Sequence, residues 1–224
     1  MKWIANKPFI LLILSGLLLG FSWFPTGFLP FIFVSFVPLL AYLNLARERK
    51  YKAWKVFFSV FMTFAIFNVI TSWWVANAGG LLGLLAPVLV NGFVMSLTIS
   101  LVFGTTKYMD KKYHYSIFIL FWIAMEYLHS LNWDLSWPWM FLGNSLAPYP
   151  WLYQFYEYTG VRGGTFWILW LNVGFYKWFN VVVNIEEKVR PLPFVMNNLF
   201  RFILPLSVSI ILFNQDINAE GSFN

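Results

Sequence analysis

Two ionisable residues inside an apolar stretch of the sequence could carry chemistry. Glu126 and His129 lie three positions apart in FWIAMEYLHSLNW, a spacing that places both on one face of a helix. Within a membrane an ionisable group is costly, so it faces protein or water rather than lipid. The pair therefore predicts either a hydrogen-bonded contact that holds helices together or a polar patch that lines a cavity opening outward.

The next segment, WDLSWPWMFLGNS, is difficult to build as a helix. It contains three tryptophans, Trp133, Trp137 and Trp139. Pro138 restricts Trp137 to extended backbone geometry, and Gly143-Asn144 permits a tight turn. One interpretation is a belt of aromatic residues at the headgroup level, where Trp and Tyr are enriched. The other is a structured loop, which can lie at membrane depth only if protein or water surrounds it.

A third polar segment, YQFYEYTGVRGGTFW, contains one acidic and one basic residue, Glu157 and Arg162. We expect these two side chains to form an ion pair. Its three glycines, which permit close backbone approach or a bend into the next helix, are Gly160, Gly163 and Gly164. Both a ligand contact and a solvated loop with a flexible helix start are compatible with this segment.

Beyond these segments the sequence contains no catalytic constellation. It has no cysteine, its histidines are His114 and His129, and it has no glycine-rich phosphate loop. We therefore predict no catalytic residue, no metal site and no cofactor in this chain. Asn68, Asn91 and Asn172 lie within apolar stretches, where asparagine ordinarily forms hydrogen bonds between helices.

The composition indicates the class of protein. Hydrophobic residues make up 60% of the chain and charged residues 11%, against about 45–50% and about 25% in soluble domains. Residues 8–46 and 56–106 carry no charge, and a helix crosses the bilayer core with about 20 apolar residues. Each run therefore accommodates two crossings. The predicted fold is an all-α, polytopic transmembrane helical bundle.

Seven spans are predicted, with approximate limits 8–23, 27–45, 55–76, 83–105, 115–131, 164–183 and 193–213. Turns are predicted between spans at 24–27, 77–80 and 186–193. The first is an uncleaved span, because bulky aromatic residues follow it in place of a small-residue cleavage site. With seven spans, 14 of the 15 Lys and Arg residues fall on one side of the membrane and Arg162 falls on the other. The positive-inside rule then places the N-terminus in the cytoplasm, and residues 132–162 and the C-terminus outside.

The basic residues are explained by this topology, so nucleic acid is not an expected partner despite the net charge of +6. Lys177 and Arg201 fall within predicted spans, near cytoplasmic ends. We expect both side chains to extend to the headgroups.

Four stretches form a set in chain order: FPTGFLPFIFVSFVPLLAYL, SWWVANAGG, EYLHSLNWDLSWPWMFLGNS and YQFYEYTGVRGGTFWILWLN. They resemble the membrane half of bacterial apolipoprotein N-acyltransferases, in the form typical of Bacteroidetes-like bacteria. The third is the most specific, because it is similar to the family's Glu-aromatic-Leu stretch followed by a Pro-Trp loop ending near a glycine. Together the four stretches span nearly the whole chain.

The resemblance implies an enzyme of the bacterial inner membrane that completes lipoprotein maturation. Family members take an acyl chain from a membrane phospholipid onto a cysteine as a thioester. They pass it to the α-amino group of the N-terminal diacylglyceryl-cysteine of a lipoprotein. That cysteine belongs to a Glu-Lys-Cys triad in a periplasmic nitrilase-like domain, which follows the seventh span and precedes an eighth. The membrane helices hold the acyl chains, and the Pro-Trp loop lies near the lipid entrance.

By the same resemblance, Glu126 matches the family's glutamate before the loop and Trp139 matches the loop tryptophan. His129 stands where many members have arginine, which puts a strictly cationic role at this position in doubt. The candidates for a substrate or lipid pocket are Glu126, His129, Trp137, Trp139, Gly143, Asn144 and Glu157.

The absence of cysteine means that the thioester step cannot occur on this chain. We expect residues 1–213 to form the transmembrane domain and 214–224 to be a periplasmic stub where the nitrilase-like domain would start. The chain is then either a truncated form, inactive alone, or a subunit that depends on a separate nitrilase-like chain. One rival is a non-enzymatic membrane protein that binds lipid or another protein. A small transporter is another, although such proteins usually have repeats and intramembrane charges.

Overall fold

The computed structural model describes residues 7–23, 27–131, 136–183 and 192–221. These residues form helices joined by turns, with no β-strand among them, which confirms the predicted all-α class. Trp133 and most of the turns predicted at 24–27 and 186–193 lie outside the described residues. The chain divides into two compact units, Met1–Pro138 and Trp139–Asn224, and each is described by itself.

The first unit is a bundle of apolar helices. In chain order they are α1 (Pro8–Phe21), α2 (Val37–Glu48), α3 (Ala53–Ser72), α4 (Val75–Thr105) and α5 (His114–Ser130). Helix α3 packs along both α4 and α1, while α1 also contacts α2 and α4 also contacts α5. The centre of the unit is aromatic: the fully buried Trp122 ring lies 4.9 Å from the ring of Phe36 and 5.7 Å from that of Phe64.

Proline and glycine explain where several of these helices begin or break. Pro8 and Pro38 stand in the first turns of α1 and α2, where a missing backbone N–H costs little. The predicted span 27–45 therefore starts as a 3₁₀ turn, Leu29–Phe33, and continues as α2 from Val37. Within α4, Gly80 is non-helical at φ 60°, in agreement with the turn predicted at 77–80, because glycine alone adopts this backbone conformation readily.

The second unit contains short turns followed by two long helices. The 3₁₀ turns are Pro138–Met140, which begins at the unit boundary, and Leu142–Leu146. They are followed by α6 (Pro150–Tyr153), α7 (Tyr156–Thr159), α8 (Val161–Val183) and α9 (Leu192–Gly221). Helix α8 packs on α9 and on the turn Leu142–Leu146, and α9 also contacts α6.

The helices fit a membrane protein. Within the described residues, four helical segments are long and apolar enough to cross a membrane: Leu29–Glu48, Ala53–Ser72, Val75–Tyr108 and Val195–Gln215. Pro8–Phe21 is apolar but shorter. Helix α5 has 17 residues, or about 26 Å at 1.5 Å per residue, slightly less than the bilayer core of about 30 Å. Each predicted span corresponds to a helix, while the number of crossings and the side of the N-terminus stay predictions.

Arg201 does not extend to a helix end as predicted. It is 7% exposed, and its Nη1 donates a hydrogen bond to the carbonyl oxygen of Trp170 at 2.9 Å. The guanidinium also lies 5.1 Å from the centre of the Trp170 ring. Trp170 is near the middle of α8, so the Arg201 charge is stabilised inside the unit by a carbonyl and an aromatic face.

Candidate functional site

Glu126 is buried on α5 in the first unit, with 1% of its surface exposed. Trp122, one turn earlier, donates its indole N–H to Glu126 Oε1 at 3.1 Å. Burial of a carboxyl group is tolerated when hydrogen bonds replace lost hydration, and the indole supplies one of them. Trp122 is not among the residues predicted from the sequence. The signal that could have found it is its position four residues before Glu126, which places both on one helix face.

His129 belongs to a buried chain of hydrogen bonds that joins three helices. Its Nε2 lies 2.9 Å from Oδ1 of Asn91 on α4. Asn91 Nδ2 donates to Oδ1 of Asn68 on α3 at 3.3 Å, and Asn68 Nδ2 donates to the carbonyl oxygen of Phe64 at 2.8 Å. Because an amide oxygen can only accept, His129 Nε2 carries the hydrogen in this bond. The interhelical bonding predicted for Asn68 and Asn91 is confirmed.

A groove of about 600 Å³ lies between α4 and α5, with His129 among its lining residues. Its walls are otherwise almost entirely apolar, with Leu97 from α4 and Leu120, Ala124 and Leu128 from α5. Leu120 and Leu128 are 60% and 62% exposed, so the groove opens on the surface of the unit. Its volume falls within the range of about 300–1,000 Å³ typical of ligand pockets.

The Trp-rich segment is a succession of turns in its described part. Ser136 Oγ donates to the carbonyl oxygen of His129 at 2.7 Å, which holds the chain against the end of α5. Trp137 is half-buried, whereas Trp139 is 67% exposed. The two 3₁₀ turns that follow bury several apolar side chains, namely Met140, Phe141, Leu142 and Leu146. This arrangement agrees with the structured-loop interpretation better than with a simple aromatic belt.

Gly143 is enclosed at the start of α8 in the second unit. Its N–H donates to Thr165 Oγ1 at 3.0 Å, and its carbonyl oxygen accepts from the Tyr156 hydroxyl at 2.7 Å. A Cβ atom at Gly143 would overlap the carbonyl oxygen of Val161, and one at Gly164 would overlap the Tyr156 ring. Since the φ of Gly143 is not positive, glycine is required here for space rather than for turn geometry.

Asn144 and Glu157 also belong to the second unit. Asn144 is half-buried in the same 3₁₀ turn as Gly143, and its carbonyl oxygen accepts from Ala147 N–H at 3.1 Å. Glu157 is exposed on α7, and no ion pair joins it to Arg162, so this prediction was wrong. Gly160, at φ 63°, ends α7, and the two side chains therefore lie on different helices.

The candidate residues divide between the units. The first unit contains Glu126, His129 and Trp137, and the second contains Trp139, Gly143, Asn144 and Glu157. Within the first unit, α5 buries both Glu126 and His129. Across the described ranges, no group of three or more His, Asp or Glu side chains is arranged to hold a metal ion.

Comparisons with known proteins match this chain to one family. A family model described as the apolipoprotein N-acyltransferase N-terminal domain matches residues 15–174. The chain is also 34% identical, over 178 residues, to a protein of Chlorobaculum tepidum named apolipoprotein N-acyltransferase. That match covers 76% of this chain and 31% of the relative, so the chain spans less than a third of the relative's length. No solved structure matches the chain.

Proposed function

Because the chain belongs to the apolipoprotein N-acyltransferase family, whose amino-terminal domain model matches residues 15–174, we propose that it is the membrane part of a lipoprotein acyltransferase. Its substrates would be a membrane phospholipid, which donates an acyl chain, and a lipoprotein, whose N-terminal diacylglyceryl-cysteine accepts that chain. The enzyme would lie in the bacterial inner membrane with the N-terminus of this chain in the cytoplasm. Residues 1–213 would form the transmembrane domain.

The groove between α4 and α5 is the observation on which the proposal chiefly depends. An acyl chain needs an apolar channel that opens to the bilayer, and exposed leucines line both sides of this groove. The ester that joins the acyl chain to glycerol needs a polar neighbour. His129 supplies one among the lining residues, and the hydrogen bond to Asn91 fixes its ring. We assign the acyl chain to the groove and the ester to the His129 end.

The remaining candidates would also contribute to substrate binding, each within its own unit. Glu126 is held inside the bundle by Trp122 and would maintain the position of α5 behind His129. Exposed Trp139 would contact the incoming lipid, and Trp137 would flank it. The tight packing of Gly143 against the start of α8 would fix the loop that presents Trp139, with Asn144 in the same turn. Glu157 would meet the acceptor from the exposed surface of α7.

The transfer itself needs a thiol that these 224 residues do not contain. We propose that this chain alone transfers no acyl group, and that a nitrilase-like domain or a separate nitrilase-like chain supplies the Glu-Lys-Cys triad. Incubation of the purified chain with a phospholipid and a diacylglyceryl peptide should therefore give no acylated peptide. Co-purification with a nitrilase-like protein, followed by transfer, would favour the subunit arrangement. Transfer by the chain alone would overturn this division of roles.

Photochemical crosslinking tests the groove directly. A phospholipid with a photoreactive group at the end of its acyl chain should label α4 and α5 of the reconstituted protein. Ala124→Leu fills the groove at an exposed position and should reduce this labelling several-fold. Ala86→Leu adds the same volume at an exposed position of α4 that does not line the groove, and should have no effect. Equal labelling of both variants would refute the assignment of the groove.

A non-enzymatic lipid-binding protein is the second candidate, because the same groove could hold a lipid that is never transferred. The two functions differ in one measurement. If a nitrilase-like domain or chain restores transfer, Ala124→Leu should lower the rate of transfer as well as the labelling. Labelling without any transfer under those conditions would favour the lipid-binding function.

A further inference from the structure

A second groove, of about 460 Å³, lies where α3 begins and α4 ends. Small residues line it: Ala53 from α3, and Ser100 and Gly104 from α4. Ser100 Oγ donates to the carbonyl oxygen of Ala53 at 2.7 Å, which fixes the two helices close together. The two grooves share Leu101 and otherwise have different lining residues.

Two lysines are the immediate chain neighbours of residues that line this second groove. Lys52 directly precedes Ala53, and Lys107 directly precedes Tyr108, which also lines the groove. The ammonium group of Lys107 lies 5.5 Å from the centre of the Tyr108 ring. Within the described part of the chain the salt bridge present joins Lys112 to Asp110. The charges of Lys52 and Lys107 are therefore not neutralised by a carboxylate there.

We propose that this groove binds an anionic glycerophospholipid of the leaflet next to the basic loops. One acyl chain would lie along Ala53, Ser100 and Gly104, and the headgroup phosphate would contact Lys52 and Lys107. The ligand combines an apolar tail with a negative head, which matches a groove lined by small residues whose lining residues Ala53 and Tyr108 each follow a lysine in the chain. This lipid would be bound and not consumed, so the inference is independent of the proposed acyl transfer.

Two contributions to binding can be separated by substitution. A lysine near an anionic lipid surface contributes about fivefold to binding at low salt, and this contribution depends on charge alone. Occupation of the groove depends instead on the space next to Gly104. A Cβ atom there would meet nothing closer than the Ala53 Cβ at 4.0 Å. Gly104→Leu should therefore fit without a backbone clash and occupy the position of the acyl chain.

The experiment measures lipid retention by the purified full chain with native mass spectrometry. The probes are phosphatidylglycerol, phosphatidylcholine with the same acyl chains, and glycerol phosphate, which has the anionic head without the tail. The unmodified protein should retain phosphatidylglycerol at least tenfold better than phosphatidylcholine, and glycerol phosphate should not displace it. Lys52→Gln and Lys107→Gln should each lower retention of phosphatidylglycerol about fivefold, whereas Gly104→Leu should lower retention of both lipids.

Matched controls keep the result interpretable. Gly79→Leu adds the same side chain to α4 where a Cβ would meet nothing within 4 Å, and Lys112→Gln removes a lysine that already has a carboxylate partner. Neither should change retention. Gly104→Ala replaces Gly104→Leu if the larger residue prevents folding, and it should give a smaller loss. Any of three results would overturn the proposal. The first is equal lipid retention by Gly104→Leu and Gly79→Leu, and the second is equal retention of phosphatidylglycerol and phosphatidylcholine by the unmodified protein. The third is displacement of phosphatidylglycerol by glycerol phosphate.

Discussion

Replacement of Asn91 by alanine tests the buried hydrogen-bond chain at its centre. Asn91 is 2% exposed, accepts a hydrogen bond from His129 and donates one to Asn68. Alanine removes both bonds at once. His129 Nε2 and Asn68 Oδ1 then lose these partners in the interior of the bundle.

The expected cost follows from the number of bonds lost. Hydrogen bonds between side chains in membrane proteins contribute about 0.6 kcal/mol on average and up to about 1.7 kcal/mol. Two bonds therefore predict a loss of about 1–3 kcal/mol in the free energy of unfolding. Ser96→Ala is the matched control, because Ser96 is buried on the same helix but donates to the Gly92 carbonyl one turn earlier. Such bonds within a helix contribute little, so this change should cost less than about 0.5 kcal/mol.

Equilibrium unfolding in mixed micelles, followed by tryptophan fluorescence, measures both variants. A double-mutant cycle with His129→Ala adds a sharper criterion. Because Asn91→Ala and His129→Ala remove the same bond, their combined cost should be less than the sum of the single costs by about 0.6 to 1.7 kcal/mol. If Asn91→Ala costs no more than Ser96→Ala, or if the two costs are strictly additive, the hydrogen-bond chain does not stabilise the bundle.

Three further substitutions can be measured by the same unfolding assay. Gly143→Ala places a methyl group against a main-chain carbonyl and should destabilise the second unit by about 1–3 kcal/mol; wild-type stability would contradict the close packing. Arg201→Lys keeps the charge but loses the planar contact with Trp170, so we expect a loss of about 1 kcal/mol, and no loss would show that the contact is not stabilising. Trp122→Phe keeps an aromatic ring but removes the hydrogen bond to Glu126, which should cost about 1–3 kcal/mol; an unchanged midpoint would show that this bond contributes nothing.

The helices could be predicted from the sequence because a helix that crosses the bilayer needs a minimum number of apolar residues. This requirement does not depend on how the helices pack. The charge-free runs therefore indicated four of the five long helices of the first unit, α1 to α4. The span predicted at 27–45 corresponds to the segment Leu29–Glu48. Its start as a 3₁₀ turn, in a stretch that contains Pro30 and Pro38, was not predicted. The prediction failed for Arg201, because its interaction with Trp170 depends on the register between α8 and α9.

Site residues that lie on one helix could be predicted from the sequence to share a face. Contacts between residues on different helices could be predicted much less well. The shared face of Glu126 and His129 follows from their spacing, since helical geometry fixes it. The partner of His129, Asn91, is 38 residues away along the chain. Apolar sequences on both helices leave their relative rotation and register undetermined. Gly143 shows the same limit, because the turn was predicted but the reason for glycine is the approach of Val161.

His129 connects the two most specific features of the first unit, the hydrogen-bond chain and the larger groove. The two asparagines of the hydrogen-bond chain, Asn68 and Asn91, carry no charge. They therefore fix the imidazole of His129 without adding a buried charge, which would be costly in a membrane. The groove therefore keeps walls of leucine and alanine on α4 and α5, with its polar contacts confined to Thr98 and His129. If the groove holds an acyl chain as proposed, the hydrocarbon contacts apolar walls along its length. The imidazole of His129 then lies next to the position assigned to the ester. Placement of a charged residue at Asn91 would disturb both features at once, because it would release His129 and bring a solvated ion next to the hydrocarbon.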